Sequence, residues 1–243
     1  VFMECVGMKP VVIHGGGKAI SFRLKELGIE SKFINGLRFT CEKSINVVDD
    51  VLHQVINPEL VDAINAHGGK AKQLSGKKIL KAKKTMTTCP KTGEELDLGF
   101  VGDVYEVDTK HIFDMLEHNI IPVIPPLAKG ENNLVFNINA DIVACKIAES
   151  LKARKLVFLS DVPGILRDQK DEQSVISTIK VSEVASLIEN RVISGGMLPK
   201  IQSAIHAINA GTKKVHMIDG RIQHSLLLEI FTDKGVGTEI VAG

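Results

Sequence analysis

The sequence predicts an α/β protein built on a mostly parallel sheet, and three observations support this fold class. Short β-branched runs alternate with longer segments of helical periodicity, as in βαβ units. The first of these runs leads directly into a glycine triplet and a helix. The 243 residues, 44% of them hydrophobic, can bury the core of one large domain or of two fused lobes.

The predicted elements follow in chain order, each with its own local signals. Apolar and β-branched runs predict strands or extended segments at 11–14, 33–40, 120–125, 155–159, 214–218 and 238–241. Helical periodicity predicts helices at 18–27, 42–55, 58–67, 110–118, 140–151, 181–189, 197–210 and 223–231. Gly28 and Gly68 end two of these helices, and Asn139 caps another.

Residues 70–107 depart from this alternation. Short alternating pieces around a turn sequence predict β-hairpins inserted into the α/β framework. For the lysines of this segment a solvated hairpin edge is favoured over a binding patch; they are Lys77, Lys78, Lys81, Lys83 and Lys84. The framework itself is expected to form an N-terminal lobe, 1–138, and a C-terminal lobe, 139–243, that share one sheet.

The composition argues against several classes of protein. Lysine and arginine number 30 against 29 aspartates and glutamates, so the basic excess of nucleic-acid or membrane-surface proteins is missing. No run approaches the roughly 18 apolar residues of a membrane span. The four cysteines form no CxxC pair, so neither a zinc site nor a disulfide framework is expected. We expect a reducing compartment, either the cytosol or an organelle stroma, and of these we assign the cytoplasm.

Glycine-rich and polar clusters fall at the carboxyl ends of predicted strands, where open parallel sheets bind ligands. The first is His14-Gly15-Gly16-Gly17, whose backbone N–H groups could face an anion; a tight strand-to-helix turn would need the same glycines. In Asn137-Ile138-Asn139-Ala140-Asp141, helix capping explains Asn139 but not Asn137 or Asp141. Ser160-Asp161 enters a proline-glycine turn and by itself indicates little.

A lysine in the first turn of the helix at 197–210 is the fourth candidate. Lys200 follows Gly195-Gly196-Met197, where the helix dipole disfavours a cation. A bound polyphosphate would explain both the glycines and the lysine. A lysine that extends from an exposed turn into solvent explains them equally well.

Taken together and in order, these clusters resemble the acetylglutamate kinases of the amino acid kinase family. The resemblance covers residues 10–243 and rests on short motifs in sequence order. Those motifs are His14-Gly15-Gly16-Gly17, Asn35-Gly36-Leu37-Arg38, Asn137-Ile138-Asn139-Ala140-Asp141, Leu159-Ser160-Asp161-Val162-Pro163-Gly164 and Gly195-Gly196-Met197-Leu198-Pro199-Lys200. It implies an open three-layer αβα sandwich whose mostly parallel central sheet has about eight strands.

The resemblance also implies a role for each cluster. The N-terminal lobe would bind N-acetylglutamate, with Arg38 and Asn137 on its α-carboxylate. Gly16 and Gly17 would donate N–H groups to the transferring phosphoryl group, and Asp141 would orient the catalytic lysines. The C-terminal lobe would bind ATP along Ser160, Asp161, Gly196, Met197 and Lys200, and Lys200 would neutralise developing charge.

The implied reaction is the ATP-dependent phosphorylation of the side-chain carboxylate of N-acetyl-L-glutamate, the second step of arginine biosynthesis. A carboxylate is already ionised near neutral pH, so this reaction needs alignment and charge stabilisation rather than a general base. Mg²⁺ would be held mainly by the phosphates of ATP, and no metal site made of protein side chains is expected.

The C-terminal segment resembles the arginine-sensitive branch of the family. This implies an effector site for L-arginine with His216, Glu229 and Gly237; a surface carboxylate beside a glycine turn is the alternative for Glu229. Arginine-sensitive members form hexamers through an N-terminal helix. That helix, and the family's first strand with its Lys-x-Gly-Gly element, have no counterpart in the sequence, so we expect a truncated sequence and a homodimer rather than a hexamer.

Two other functions are compatible with the sequence. One is a kinase for a homologous acylated amino acid such as N-acetylaminoadipate, because one extra methylene changes binding by only about 1–3 kcal/mol. The other, motivated by the absent lysine, is a catalytically inactive module that binds arginine or a nucleotide.

Overall fold

The computed structural model describes residues 1–89, 92–232 and 235–243. The chain divides into two compact units, Val1–Val143 and Ala144–Gly243. Each unit combines helices with a sheet that contains parallel strand pairs, so the predicted α/β class is confirmed.

The elements of the first unit follow one another along the chain. Its helices are α1 (Phe2–Cys5), α2 (Gly17–Glu26), α3 (Glu42–Asp50), α4 (Asn57–Ala66), α5 (Gly76–Ile79), α6 (Lys110–Glu117) and α7 (Ala140–Ser150), the last of which crosses the unit boundary. Its strands are β1 (Val12–Ile13), β2 (Phe33–Ile34), β3 (Leu37–Arg38), β4 (Ala71–Gln73), β5 (Leu80–Thr88), β6 (Glu95–Val107), β7 (Ile121–Ile124), β8 (Leu127–Lys129) and β9 (Val135–Asn137).

A parallel sheet in the order β1-β7-β4 forms the framework of this unit. Its central strand β7 is buried throughout, as its continuous apolar sequence predicts. Strand β4 lies inside the segment that we predicted as inserted hairpins, so that prediction is wrong for residues 71–73. Ala71 is buried and packs with Ile121 and Val123, which draws β4 into the parallel sheet.

Strands β5 and β6 form the predicted antiparallel hairpin, but they are part of a closed barrel in the order β5-β6-β9-β8. The pairings with β8 and β9 were not predicted, because those strands are only three residues long. Strand β5 buries Leu80 and Ala82 and leaves Lys81, Lys83 and Lys84 exposed. Lys81 and Lys84 form exposed ion pairs with Glu106 and Asp97, which agrees with a solvated hairpin edge.

Helices α3 and α4, predicted as two helices, are joined without a break by a π-helical segment, Val51–Ile56. Leu52 is buried in a core cluster that also contains Ile20 and Leu24 of α2. Helices α3 and α4 and the π-helical segment therefore form one continuous helix, which packs against α2.

The second unit contains β10 (Lys155–Ser160), β11 (Thr178–Lys180), α8 (Val184–Glu189), α9 (Met197–Asn209), β12 (Lys214–Asp219), α10 (Ser225–Phe231) and β13 (Thr238–Val241). Its sheet has the order β10-β12-β13-β11; β12 pairs in parallel with β10 and antiparallel with β13. Among the described residues each strand pair lies within one unit, so a single sheet of about eight strands stays a prediction.

Candidate functional site

The glycine triplet forms the connection between β1 and α2. Gly16 is the residue before the first turn of α2, and Gly17 begins the helix. Among the residues that the structure describes, the N–H groups of Gly15, Gly16 and Gly17 donate to no protein acceptor. Free N–H groups at a helix N-terminus, with no side chain over them, suit an anion.

Packing explains why the middle position of the triplet is glycine. A Cβ on Gly16 would lie 2.6 Å from Ile56 Cδ1 and 2.8 Å from Leu52 Cδ2, both on the π-helical segment. A Cβ on Gly17 would meet nothing within 4 Å. The two glycines therefore have different tasks: Gly16 lets the loop settle onto the π-helical segment, while Gly17 leaves its own backbone open.

Arg38, at the end of β3, is almost fully buried, 6% exposed, and its guanidinium reaches the glycine loop. Nη2 donates to the carbonyl oxygen of Gly17 at 2.9 Å and to Ser21 Oγ at 2.8 Å. Nη1 donates to Ser31 Oγ, and the guanidinium carbon lies 4.5 Å from the centre of the Phe33 ring. Burial lowers the pKa of Arg38, but an arginine keeps its charge at neutral pH.

The Asn35-Gly36 turn between β2 and β3 holds this arginine in place. Both residues have positive φ, 51° and 78°, as a tight hairpin turn requires. The amide of Asn35 donates to Thr87 Oγ1 and to the carbonyl of Thr88, each at 2.9 Å. The short hairpin that carries Arg38 is thus fastened to β5.

Asn137, at the end of β9, is connected to Arg38 through Thr40. The Asn137 amide donates to Thr40 Oγ1 at 3.3 Å, and this hydroxyl donates to the carbonyl oxygen of Arg38 at 2.9 Å. Thr40 is fully buried, and its backbone bridges β6 at Gly99. The structure therefore brings together Gly16, Gly17, Arg38 and Asn137.

The start of α7 completes this group. Asn139 Oδ1 accepts the N–H of Asp141 at 2.8 Å, which confirms the predicted cap. Asp141 lies in the first helical turn. A Cβ on Gly15 would be 3.8 Å from Ala140 Cβ, so the glycine loop lies against the beginning of this helix.

In the second unit the nucleotide candidates follow β10 and precede α9. The hydroxyl of Ser160 donates to the carbonyl of Val162 at 3.2 Å and closes the turn after β10. Lys200 Nζ lies 5.6 Å from the centre of the Phe158 ring, two residues before Ser160 on the same strand. Gly196 immediately precedes α9, and Met197 is its first residue. Lys200 is thus placed beside the end of β10.

His216, Glu229 and Gly237, the predicted effector residues, do come together. The Glu229 carboxylate lies 2.7 Å from His216 Nδ1 and accepts the N–H groups of Val236 at 2.7 Å and Gly237 at 3.0 Å. His216 is 3% and Glu229 9% exposed, so the alternative of a surface carboxylate is wrong. In the described part of the chain, His216 Nε2 is buried without a hydrogen-bond partner.

Sequence reasoning missed Ser21, Ser31 and Thr40, which hold Arg38 and Asn137 in place. Ser21 lies on α2, whereas Thr40 follows Arg38 by two residues. Only Thr40 carried a usable signal: alternation along an extended segment puts it on the same side as Arg38. Ser31 and Ser21 are ordinary polar residues in their local patterns, and only the tertiary structure reveals their contacts.

The described residues contain neither a metal-binding cluster nor a membrane-spanning helix. Within residues 1–89, 92–232 and 235–243, no three or more His, Cys, Asp or Glu side chains are grouped so that they could hold a metal ion. In the same residues no helix combines the length and apolar character needed to cross a membrane.

Comparison with known proteins gives a family and a set of relatives. The profile of the Amino acid kinase family matches residues 2–219. Acetylglutamate kinase of Carboxydothermus hydrogenoformans is 51% identical over 242 residues, which cover 98% of this chain and 82% of that protein. The similarity thus extends through both units.

Solved structures show the same fold. The smu.665 protein of Streptococcus mutans superposes with a TM-score of 0.81 at 30% identity, covering 99% of this chain and 89% of that one. N-acetylglutamate synthase of Neisseria gonorrhoeae, complexed with coenzyme A and N-acetyl-glutamate, gives a TM-score of 0.86 at 26% identity over 100% of this chain and 54% of that one. A second structure of that synthase contains coenzyme A and L-arginine.

Proposed function

The chain belongs to the amino acid kinase family, and we propose that it transfers the γ-phosphoryl group of ATP to the side-chain carboxylate of N-acetyl-L-glutamate. It is then a phosphotransferase of arginine biosynthesis. Support comes from the identity with an acetylglutamate kinase across nearly the whole chain.

One observation carries the proposal: a buried arginine touches the loop whose N–H groups are free. Arg38 is bonded to the carbonyl oxygen of Gly17, so the cation contacts the residue that follows Gly15 and Gly16 in the loop of free N–H groups. The cation suits the α-carboxylate of an acylated amino acid, and the free N–H groups suit a phosphoryl group. A substrate that carries one carboxylate for binding and another for reaction fits this pair.

The residues of the first unit then perform alignment. Arg38 and Asn137 bind the α-carboxylate of N-acetylglutamate. Within the described residues three of the five guanidinium N–H groups have protein acceptors, so a two-point grip on the carboxylate requires Ser21 or Gly17 to release one of them. Gly16 and Gly17 donate N–H groups to the phosphoryl group, and Asp141 orients the lysine.

The residues of the second unit bind ATP along Ser160, Asp161, Gly196 and Met197. Lys200 neutralises charge that develops on the phosphoryl group. Mg²⁺, bound mainly by the phosphates, supplies further positive charge when present. The nucleophilic carboxylate is ionised at neutral pH, so the protein need not remove a proton from it.

The test is the trapping of an acyl phosphate as its hydroxamate, with ATP, Mg²⁺ and the purified protein. We expect product with N-acetylglutamate and a lower kcat/KM with N-acetylaminoadipate, whose extra methylene must fit the same site. A preference for the longer acid would assign the alternative substrate. Absence of product from both acids, with protein that is folded by circular dichroism, would overturn the proposal.

We further propose that L-arginine is an effector that binds in the second unit at His216, Glu229 and Gly237. The buried Glu229 carboxylate offers a partner for a guanidinium; the N–H groups of Val236 and Gly237 donate to Glu229 and would have to leave it to bind the carboxylate of arginine. The relative of similar fold that was crystallised with L-arginine supports this choice. Calorimetry should detect binding of arginine to the wild-type protein and weaker binding to Glu229→Gln. Lysine should not replace arginine, because it lacks the planar guanidinium group.

We propose a homodimer in the cytoplasm, an N-terminal lobe of residues 1–138 for the acyl-amino acid and a C-terminal lobe of residues 139–243 for ATP. The finer architecture expected is an open αβα sandwich with one central sheet of about eight strands. The acetylglutamate kinases that are 51% and 48% identical to this chain support the assignment of an acyl-amino acid and ATP as the two ligands.

A further inference from the structure

The histidine that precedes the glycine triplet is buried, and an asparagine of α4 contacts its ring. His14 is 8% and Asn57 0% exposed. The Asn57 amide nitrogen lies 3.0 Å from His14 Nε2 and donates to the carbonyl oxygen of Val123 at 3.0 Å. On its other side, His14 Nδ1 lies 3.0 Å from the carbonyl oxygen of Gly15.

These contacts determine which ring nitrogen of His14 carries the proton. An amide nitrogen only donates, so Nε2 must be the bare acceptor. A carbonyl oxygen only accepts, so Nδ1 must be the N–H donor. Burial, together with the nearby His53, lowers the pKa of His14 against the opposing effect of the Gly15 bond, which agrees with a neutral ring.

Asn57 lies directly beside the π-helical segment. It follows that segment directly as the first residue of α4, and the same segment contacts Gly16 through Leu52 and Ile56. In the described part of the chain, Asn57 Oδ1 is buried without a partner. Burying an amide costs free energy, and the two hydrogen bonds that Asn57 donates offset that cost.

We propose that Asn57 is a positioning residue for phosphoryl transfer: it fixes His14 as the Nδ1–H tautomer, and His14 in turn fixes the Gly15 peptide and the N–H groups that follow it. This inference rests on the proposed function, in which Gly16 and Gly17 contact the phosphoryl group. The action is indirect, because neither Asn57 nor His14 needs to touch a substrate.

Two substitutions of His14 distinguish its bond to Asn57 from its bond to the Gly15 carbonyl. In His14→Asn the side-chain amide takes the place of Nδ1 and can still donate to the Gly15 carbonyl. In His14→Gln the side-chain amide extends to the place of Nε2. Its oxygen can accept the bond from the Asn57 amide, but the bond to the Gly15 carbonyl is lost. We expect kcat to fall less than about threefold in His14→Asn and at least about tenfold in His14→Gln and Asn57→Asp, with KM for both substrates nearly unchanged.

The protonation state is tested independently by ¹⁵N NMR of histidine-labelled wild-type protein, with His14→Asn used to assign the signal. A protonated Nδ1 and a bare Nε2 are expected at neutral pH. The other tautomer or a mixture would overturn the inference, and so would equal kcat values in His14→Asn and His14→Gln. If the wild-type protein transfers no phosphoryl group, the proposed function fails, and the NMR result alone decides the assignment of Asn57.

Discussion

At the scale of single residues, the charge of Arg38 is the feature that most constrains function. Its described contacts are two hydroxyls, one carbonyl oxygen and an aromatic ring, and within the described residues no carboxylate pairs with it. A buried cation without a counter-ion is unfavourable unless an anion compensates it. The protein therefore keeps an attraction for a carboxylate in its folded state.

Replacement of Arg38 should weaken substrate binding more than it slows the reaction. Arg38→Lys keeps the positive charge but loses the planar guanidinium group that can bind a carboxylate at two points, and Arg38→Ala loses both. We expect KM for N-acetylglutamate to rise about tenfold in the lysine variant and about a hundredfold in the alanine variant, with kcat within about threefold. Steady-state kinetics checks this, with Arg23→Ala, which removes an exposed ion pair to Glu26, as control. A fall in kcat alone would assign Arg38 to the reacting group.

Lys200 should show the opposite kinetic pattern. Its ammonium lies beside the end of β10 and would interact most strongly with charge that develops during transfer. Lys200→Ala is expected to lower kcat at least about a hundredfold, with KM for N-acetylglutamate unchanged. Lys213→Ala, an exposed lysine of the same unit, serves as the control and should retain activity. A raised KM for ATP at constant kcat would instead mean that Lys200 only binds the nucleotide.

At the scale of elements, local signals and distant contacts contributed differently to what could be predicted. Strand β7 and the Asn139 cap were predictable because an apolar run and a capping residue are local features. The barrel was not predictable, because β8 and β9 are short and gain their identity only by pairing with β5 and β6.

The candidate site divides in the same way. The glycine triplet and Lys200 stood out because their residue types are unusual at strand ends and helix starts, whereas Arg38 was identified only through the family resemblance. Asn57 did not stand out, because a polar residue before a proline looks like an ordinary helix boundary. The helix instead continues through a π-turn, and the bond to His14 joins residues 43 positions apart.

The π-helical segment makes a testable distinction between neighbouring glycines. Gly16→Ala places a methyl group against Ile56 and Leu52 and should destabilise the protein by about 1–3 kcal/mol. Gly17→Ala meets open space at the start of α2 and should leave stability unchanged or raise it by up to about 1 kcal/mol. Thermal melting compares the two variants. Equal melting temperatures would show that the loop does not pack on the π-helical segment as the structure has it.

At the scale of the whole molecule, each unit has a partly buried carboxylate held by a lysine. In the first unit Asp49 contacts Lys77 Nζ at 2.6 Å and His53 Nδ1 at 2.6 Å. Burial raises the pKa of Asp49, but the bonds from His53 and Lys77 outweigh it and the net shift is downward. In the second unit burial raises the pKa of Glu239, but the bond from Lys214, the charge of Lys214 and the bond from Thr178 together lower it further than burial raises it. Both units should therefore lose stability in acid.

The sign of this effect follows from linkage. A carboxyl group whose pKa is lower in the folded than in the unfolded state stabilises the fold above its unfolded value of 3.8, and this stabilisation is lost as the pH falls through the folded value. Asp49→Asn should lower the melting temperature at about pH 6 and narrow the difference from wild type towards about pH 3. Asp50→Asn, at an exposed neighbouring position, should follow the wild-type profile. If the deficit of Asp49→Asn were the same at both pH values, its bonds to His53 and Lys77 would contribute no charge-dependent stability, and the acid sensitivity of the first unit would have to arise elsewhere.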